Sequence, residues 1–75
     1  MPFDGSKLRE LRLRRALTLR ELGVQSGVAY DSINAIELGR QQPRPSTVRR
    51  LAEALGVSPE VFFTDSGEDE GKAAA

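Results

Sequence analysis

Apolar residues recur at helical spacing in short stretches of this chain, and three of these stretches end at or near a glycine, at Gly27, Gly39 and Gly56. Leu8 and Leu11 share one helix face, as do Val48, Leu51 and Leu55. No strand-like alternation of apolar and polar residues extends beyond four residues. Because a chain of 75 residues buries a single core, the sequence predicts one all-α domain of five short helices.

Residues typical of helix ends divide the chain further. The predicted helices run from Lys7 to Arg15, from Thr18 to near Gly27, from about Ala29 to Leu38, from after Pro45 to Gly56, and over a short stretch after Ser58. We expect the Ser6 hydroxyl to cap the first helix. Thr18 and Glu21 form a capping box for the second helix, because each side chain can accept from the other residue's backbone N–H.

Charge is unevenly distributed along the chain, although its net value is zero. The segment 65–75 contains four of the eleven acidic residues and one lysine, so residues 1–64 carry ten basic against seven acidic side chains. This excess of positive charge favours an anionic partner. Because residues 65–75 show no apolar periodicity, we expect a disordered acidic tail after a folded domain over residues 1–64.

Cysteine and histidine do not occur in this sequence. We therefore expect no metal site, no disulfide and no cofactor. We also expect no enzymatic activity, since the chain has no side chain that ordinarily titrates near neutral pH and too small a core for a substrate pocket. Apolar runs are far shorter than the roughly 20 residues that span a bilayer, so the expected location is the cytoplasm.

Residues 18–38 have the pattern of a helix-turn-helix, with two short helices on either side of a tight turn. Gly23 allows the two helices to approach closely, and Gly27 allows the turn its positive φ. The apolar residues that can fill the space between these elements are Leu22, Val28, Ile33 and Ile36.

Spaced motifs between Leu8 and Phe63 form a pattern that is more specific than any one of them. The motifs are Leu8-x-x-Leu11-Arg12, Leu17-Thr18-x-x-Glu21-Leu22, Ser26-Gly27-Val28, Ile33 with Ile36-Glu37-x-Gly39, Pro43, and Leu51-Ala52-x-Ala54-Leu55-Gly56-Val57. This pattern, which covers about three quarters of the chain, resembles the phage Cro/repressor-type helix-turn-helix family, also called the xenobiotic-response-element family. The resemblance implies a compact five-helix domain that binds double-stranded DNA, usually as a dimer, with its third helix in the major groove.

The resemblance also implies which side chains face the DNA bases, namely Tyr30, Asp31, Asn34 and Ala35. Asn34 can pair with adenine through two hydrogen bonds, Ala35 can contact a thymine methyl group, and Tyr30 can contact a methyl group or donate to a phosphate. Asp31 has two open interpretations. Its carboxylate accepts from a cytosine amino group or holds Arg20 in place, or it is an acid that favours the N-terminus of its helix.

Contacts to the DNA backbone are expected from the second and third helices and from the loop that follows them, at Arg20, Ser32, Arg40, Gln41, Gln42 and Arg44. Arg44 can also reach the minor groove. The chain departs from the family's usual pattern at Leu19, where a polar residue is frequent, at Ala29, where a Ser or Thr cap is common, and at Ala16, where a turn glycine is frequent. We expect local weakness at the two alanines.

Further positions are expected to shape the domain and its assembly. Arg12 and Glu37 correspond to a family pair that ties the first helix to the end of the third by a partly buried salt bridge, and we expect a structural role for both. Phe62 is expected in the core. The candidates for a dimer surface are Phe3, Val61 and Phe63.

Two classes of function remain open from the sequence. The first is a repressor or controller protein that occupies an operator of two half-sites as a homodimer and acts by steric competition. The second is a protein-interaction module, such as an antitoxin on the same scaffold that contacts its partner through the acidic tail. Only the first would lose DNA affinity steeply as salt is added.

Overall fold

A computed structural model describes residues 2–63 of the chain. Its elements are α1 (Gly5–Arg14), α2 (Leu19–Ser26), α3 (Tyr30–Glu37), α4 (Pro45–Leu55) and a 3-10 helix (Pro59–Phe63). All regular elements between residues 2 and 63 are helical, which confirms the all-α class. The last predicted helix is a 3-10 helix rather than an α-helix, so this part of the chain has four α-helices. The acidic segment 65–75 lies outside the described residues.

The helices of residues 2–63 are short, and none of them is long and apolar enough to cross a bilayer. The longest, α4, spans 11 residues. Pro45 begins this helix, at a position where a missing N–H costs no intrahelical bond. Gly56 ends the helix in the left-handed conformation, as the sequence predicted.

The cap of α1 is Asp4, not Ser6. Asp4 Oδ1 accepts from the backbone N–H groups of Ser6 at 3.0 Å and Lys7 at 3.3 Å. Ser6 lies inside the helix, and its hydroxyl donates to the same carboxylate oxygen at 2.6 Å. This hydroxyl bond, with the backbone bonds and the Lys7 charge, lowers the pKa of Asp4 below its ordinary 3.8. The cap therefore stabilises the fold fully above that pH and is lost as the pH falls through the lower folded-state pKa.

Gly5, the first residue of α1, lies against the end of α3. A Cβ atom at this position would stand 2.1 Å from the carbonyl oxygen of Ile36 and 2.8 Å from that of Glu37. Both neighbours are backbone atoms, so a side chain here would push the two helices apart. The sequence prediction began the helix at Lys7 and did not anticipate this contact.

The hydrophobic core lies between the helices, and its fully buried residues come from all the elements. The largest of these side chains are Leu8, Leu22, Ile33, Ile36, Leu51, Leu55 and Phe62. The N-terminal segment closes one side of this core. There the Phe3 ring stacks on Phe62 with 4.8 Å between centroids, and the Asp4 N–H donates to Phe62 O at 2.8 Å.

Phe3 is therefore a core residue, and its assignment to a dimer surface is wrong for the folded chain. Only 7% of Phe3 is exposed. It also contacts Phe63 edge to face, with 5.7 Å between ring centroids. Val61 and Phe63 remain half-buried on the 3-10 helix.

The helix-turn-helix forms as the sequence predicted. Thr18 Oγ1 accepts from the Glu21 N–H at 3.0 Å, and Glu21 Oε1 accepts from the Thr18 N–H at 2.8 Å, which confirms the capping box. Gly27 ends α2 with φ = 76°. A Cβ atom on Gly23 would lie 2.9 Å from Val28 O, so the turn packs directly on the backbone of α2.

A bidentate ion pair joins α1 to α3. Arg12 donates from Nε to Glu37 Oε2 at 2.7 Å and from Nη2 to Glu37 Oε1 at 3.0 Å. Its Nη1 donates to Leu17 O at 2.9 Å. The side chains are only 9% and 3% exposed. Hydrogen bonding to the Glu37 carboxylate raises the pKa of Arg12 above its ordinary value, so the guanidinium stays charged throughout the pH range in which proteins fold.

Arg12→Ala should lower the free energy of unfolding by about 3 to 5 kcal/mol, because it leaves the Glu37 charge buried without a partner. Arg14→Ala, on the same helix, is the control. Arg14 pairs with Glu10 at 2.8 Å but is 69% exposed, and its loss should cost less than about 1 kcal/mol. Urea unfolding followed by circular dichroism compares the two variants. Equal losses of stability would contradict a structural role for the buried pair.

Ala16 adopts a backbone conformation that suits glycine. Its φ of 55° makes it the one non-glycine residue in the described part of the chain with positive φ. The left-handed conformation costs an L-residue about 1 to 2 kcal/mol. The family that the sequence resembles often has a glycine at this position. In this chain the turn forms with an alanine in the same left-handed conformation.

Ala16→Gly should therefore raise the free energy of unfolding by about 0.5 to 1 kcal/mol, after allowing for the greater freedom of glycine in the unfolded chain. This corresponds to roughly 2 to 8 °C in Tm. The reciprocal variant is Gly27→Ala, where φ is 76° and no atom lies within 4 Å of the added Cβ, and it should be destabilised by about 1 kcal/mol. A lower Tm for Ala16→Gly would contradict backbone strain at this residue.

Candidate nucleic-acid interface

Helix α3 has an apolar inner face and a polar outer face. Ile33 and Ile36 are buried in the core, with exposures of 0% and 1%. On the opposite side the structure brings together the four positions that were expected to face bases. Of these, Tyr30, Asp31 and Asn34 are exposed and Ala35 is half-buried. The helix thus presents a continuous surface of donor, acceptor and apolar groups.

The N-terminus of α3 is stabilised from within the helix. Ala29 occupies the cap position and has no side-chain hydrogen bond to offer. Asp31 Oδ1 instead accepts from the backbone N–H of Ser32 at 2.9 Å. This contact favours the interpretation of Asp31 as an acid that stabilises the helix end. It also explains how α3 tolerates an alanine at its cap.

Arg20 and Tyr30 connect the outer surfaces of α2 and α3. Arg20 Cζ lies over the Tyr30 ring, 4.6 Å from its centroid. Asp31 had been one candidate to hold Arg20, and the structure instead pairs Arg20 with the neighbouring aromatic ring. The pair borders an open depression of about 410 Å³ whose other lining residues are Gly23, Val24, Gly27, Val28 and Ala29. No sequence spacing indicated this contact, since the two residues lie on different helices.

The loop between α3 and α4 supplies further groups. Arg40, Gln41 and Arg44 are exposed, as expected for residues that contact a DNA backbone. Gln42 is exposed too, but its Oε1 accepts from the Phe3 N–H at 3.2 Å. The side-chain oxygen of Gln42 therefore binds the N-terminal segment at Phe3. The side-chain NH₂ group of Gln42 remains available to donate to an acceptor outside the domain.

Two other predicted positions lie beside these groups. Ser32 is half-buried near the start of α3. Leu19 opens α2 and packs against the core cluster. Leu19 thus contributes to the core. A polar side chain at the same position could instead donate a hydrogen bond to a DNA phosphate.

Comparison with known proteins identifies the family. Residues 5–62 match the model of the helix-turn-helix domain. The chain is 41% identical over 68 residues to the HTH-type transcriptional repressor RghR of Bacillus subtilis (strain 168). The aligned region covers 89% of this chain and 50% of that protein. It is 42% identical over 67 residues to RghRB, an HTH-type transcriptional regulator of the same strain, covering 88% of this chain and 48% of that protein.

A solved structure agrees with the same assignment. The restriction-modification controller protein C.AhdI from Aeromonas hydrophila superposes with a TM-score of 0.76 at 30% identity, over 79% of this chain and 89% of that chain. The chain therefore belongs to the helix-turn-helix domain family. It spans about half the length of the two Bacillus relatives.

Asp31→Ala should have opposite effects on stability and on DNA binding. Loss of the acid from the first turn should lower the free energy of unfolding by roughly 0.5 to 1 kcal/mol. Removing a negative charge from the surface should raise affinity for non-specific duplex DNA by about two- to fivefold at low salt. Asp31→Asn is the matched control, because its amide oxygen can still accept from Ser32 and should preserve more of the stability. Fluorescence anisotropy measures the affinities, and unchanged affinity in both variants would contradict a place for Asp31 beside DNA.

Proposed function

We propose that this domain binds double-stranded DNA sequence-specifically and regulates transcription. The observation that carries the proposal is the orientation of α3, whose inner face is fixed in the core while Tyr30, Asp31 and Asn34 are exposed and Ala35 is half-buried beside them. A helix of this kind fits the major groove of B-DNA, which is about 12 Å wide. The family membership supports the same function.

The outer face of α3 has groups suited to reading bases. Asn34 can donate to and accept from the adenine edge, and Ala35 can contact a thymine methyl group. Arg40, Gln41, Arg44 and the hydroxyl of Ser32 would hold the phosphate backbone and so fix the register of α3. Such phosphate contacts add affinity without sequence preference.

Repression by occupancy is the mode of action that we propose. RghR is named a transcriptional repressor and C.AhdI a controller protein, which favours a regulator over the alternative of an antitoxin. In this mode the domain acts by blocking access to the operator, requires no cofactor and catalyses no reaction. It would act in the cytoplasm, where its DNA target is accessible.

A dimer is part of the proposal. Two recognition helices must lie about 34 Å apart to enter successive major grooves on one side of DNA. Val61 and Phe63, half-buried on the 3-10 helix, are the proposed apolar contacts between protomers. A pair of domains on two half-sites would also add affinity that one small domain lacks.

Selection of bound sequences from a random duplex library at about 150 mM salt tests this function. We expect a palindromic consensus whose half-site centres are about 10 base pairs apart. Titration of the best site should show an affinity that falls steeply with salt, in proportion to the number of phosphates neutralised. Absence of enrichment over scrambled duplex would contradict the proposal and would favour the alternative function, a protein-interaction module.

A further inference from the structure

Arg20 belongs to α2, yet its charged group is held at the first residue of α3. Its Cζ lies 4.6 Å from the centroid of the Tyr30 ring, and Tyr30 opens α3 with 44% of its surface exposed. No carboxylate pairs with Arg20 among the ion pairs between residues 2 and 63. The depression beside the pair is lined by glycine, valine and alanine without any acid. Within residues 2–63, an exposed cation thus lies over an aromatic ring and pairs with no carboxylate.

We propose that Arg20 is a specificity-determining residue that reads a guanine in the major groove. This inference rests on the proposed DNA-binding function. In a helix-turn-helix the first helix crosses the DNA backbone while the second enters the groove, so an unrestrained arginine near the start of α2 would reach a phosphate. Stacking on Tyr30 instead holds the guanidinium at the end of α3 that approaches the base edges.

None of the four α3 residues expected to face bases offers the paired N–H donors with which arginine binds guanine. Asn34 suits adenine, Ala35 suits a thymine methyl group, and Asp31 can accept only from an amino group such as that of cytosine. Arginine is the side chain that most often pairs with guanine, through two N–H donors directed at O6 and N7. Arg20 therefore supplies a bidentate guanine contact, which the four α3 residues expected to face bases lack.

The aromatic contact also makes such reading efficient. An arginine side chain loses considerable rotational freedom when it binds. Because the Tyr30 ring already restricts the guanidinium through a cation–π contact, less freedom is lost on meeting a base. The N–H groups that do not face the ring remain available as donors. Tyr30 thus acts as a positioning residue for Arg20, in addition to any contact that it makes itself.

The test compares base preferences of the full chain and its variants on duplexes that carry every single-base change in the selected site. Arg20→Ala should abolish the preference for guanine at one position of each half-site, a loss of roughly 5- to 150-fold in discrimination. Preferences at the other positions should be unchanged. Arg40→Ala is the matched control, because loss of a phosphate contact weakens every sequence alike and reduces the salt slope by about one.

Two variants of the ring test the positioning role. Tyr30→Phe keeps the aromatic face and should keep the guanine preference at the position identified with Arg20→Ala. Tyr30→Leu removes the face and should reduce that preference, although Arg20 is still present. A melting curve for each variant separates these effects from loss of the fold.

The alternative outcomes are distinct. If the wild-type chain selects a site but Arg20→Ala weakens all duplexes uniformly, then Arg20 is a phosphate contact and the inference is overturned while the proposed function stands. If the wild-type chain has no sequence preference, the proposed function fails and the inference fails with it. Equal guanine preference in the wild-type and Tyr30→Leu chains would overturn the positioning role of the ring.

Discussion

The ion pair between Arg12 and Glu37 determines how α3 is held in this domain. One guanidinium group contacts the last residue of α3 with two hydrogen bonds and the connection between α1 and α2, at Leu17 O, with a third. Hydrophobic burial is non-directional, so the apolar core alone leaves the orientation of such a short helix loosely defined. The buried pair and the close approach at Gly5 supply the direction. Both fix the C-terminal end of α3 and leave its N-terminal end to face outward.

The N-terminal end of α3 is stabilised by residues that are also exposed on the proposed interface. Asp31 bonds to the Ser32 N–H in place of the capping side chain that Ala29 lacks, and Tyr30 holds Arg20. On α2, Leu19 packs against the core. The proposed interface thus depends less on a polar residue at the start of α2 and more on Arg20 and on the exposed arginines of the following loop. Of the three departures from the family's usual pattern, only Leu19 thus has a packing contact with the core among the described residues.

Local features were predictable from the sequence because they depend on neighbouring residues. The capping box of Thr18 and Glu21 and the end of α2 at Gly27 follow from fixed spacing along one helix. The inward positions of Ile33 and Ile36 follow from helical periodicity. The resemblance to a family added the pair of Arg12 with Glu37, whose partners are far apart in the sequence.

Three other features that depend on tertiary placement were missed. Both Asp4 and Ser6 are good capping residues, and the structure starts α1 at Gly5, whose backbone lies against the end of α3. Phe3 was a candidate for a dimer surface, whereas in the fold it stacks on Phe62. The contact of Arg20 with Tyr30 crosses the turn between two helices, so its geometry depends on how α2 and α3 pack.

The outer face of α3, together with Arg20 and the loop after α3, forms the surface that we propose meets DNA. Amide chemical-shift changes in isotope-labelled protein, recorded by NMR as duplex DNA carrying the selected site is added, test this claim most directly. We expect the largest changes over residues 30–35, at Arg20 and over residues 40–44, with small changes along the outer side of α1 at Arg9 and Leu13. Changes concentrated on α1 or α4, with α3 unaffected, would contradict this claim.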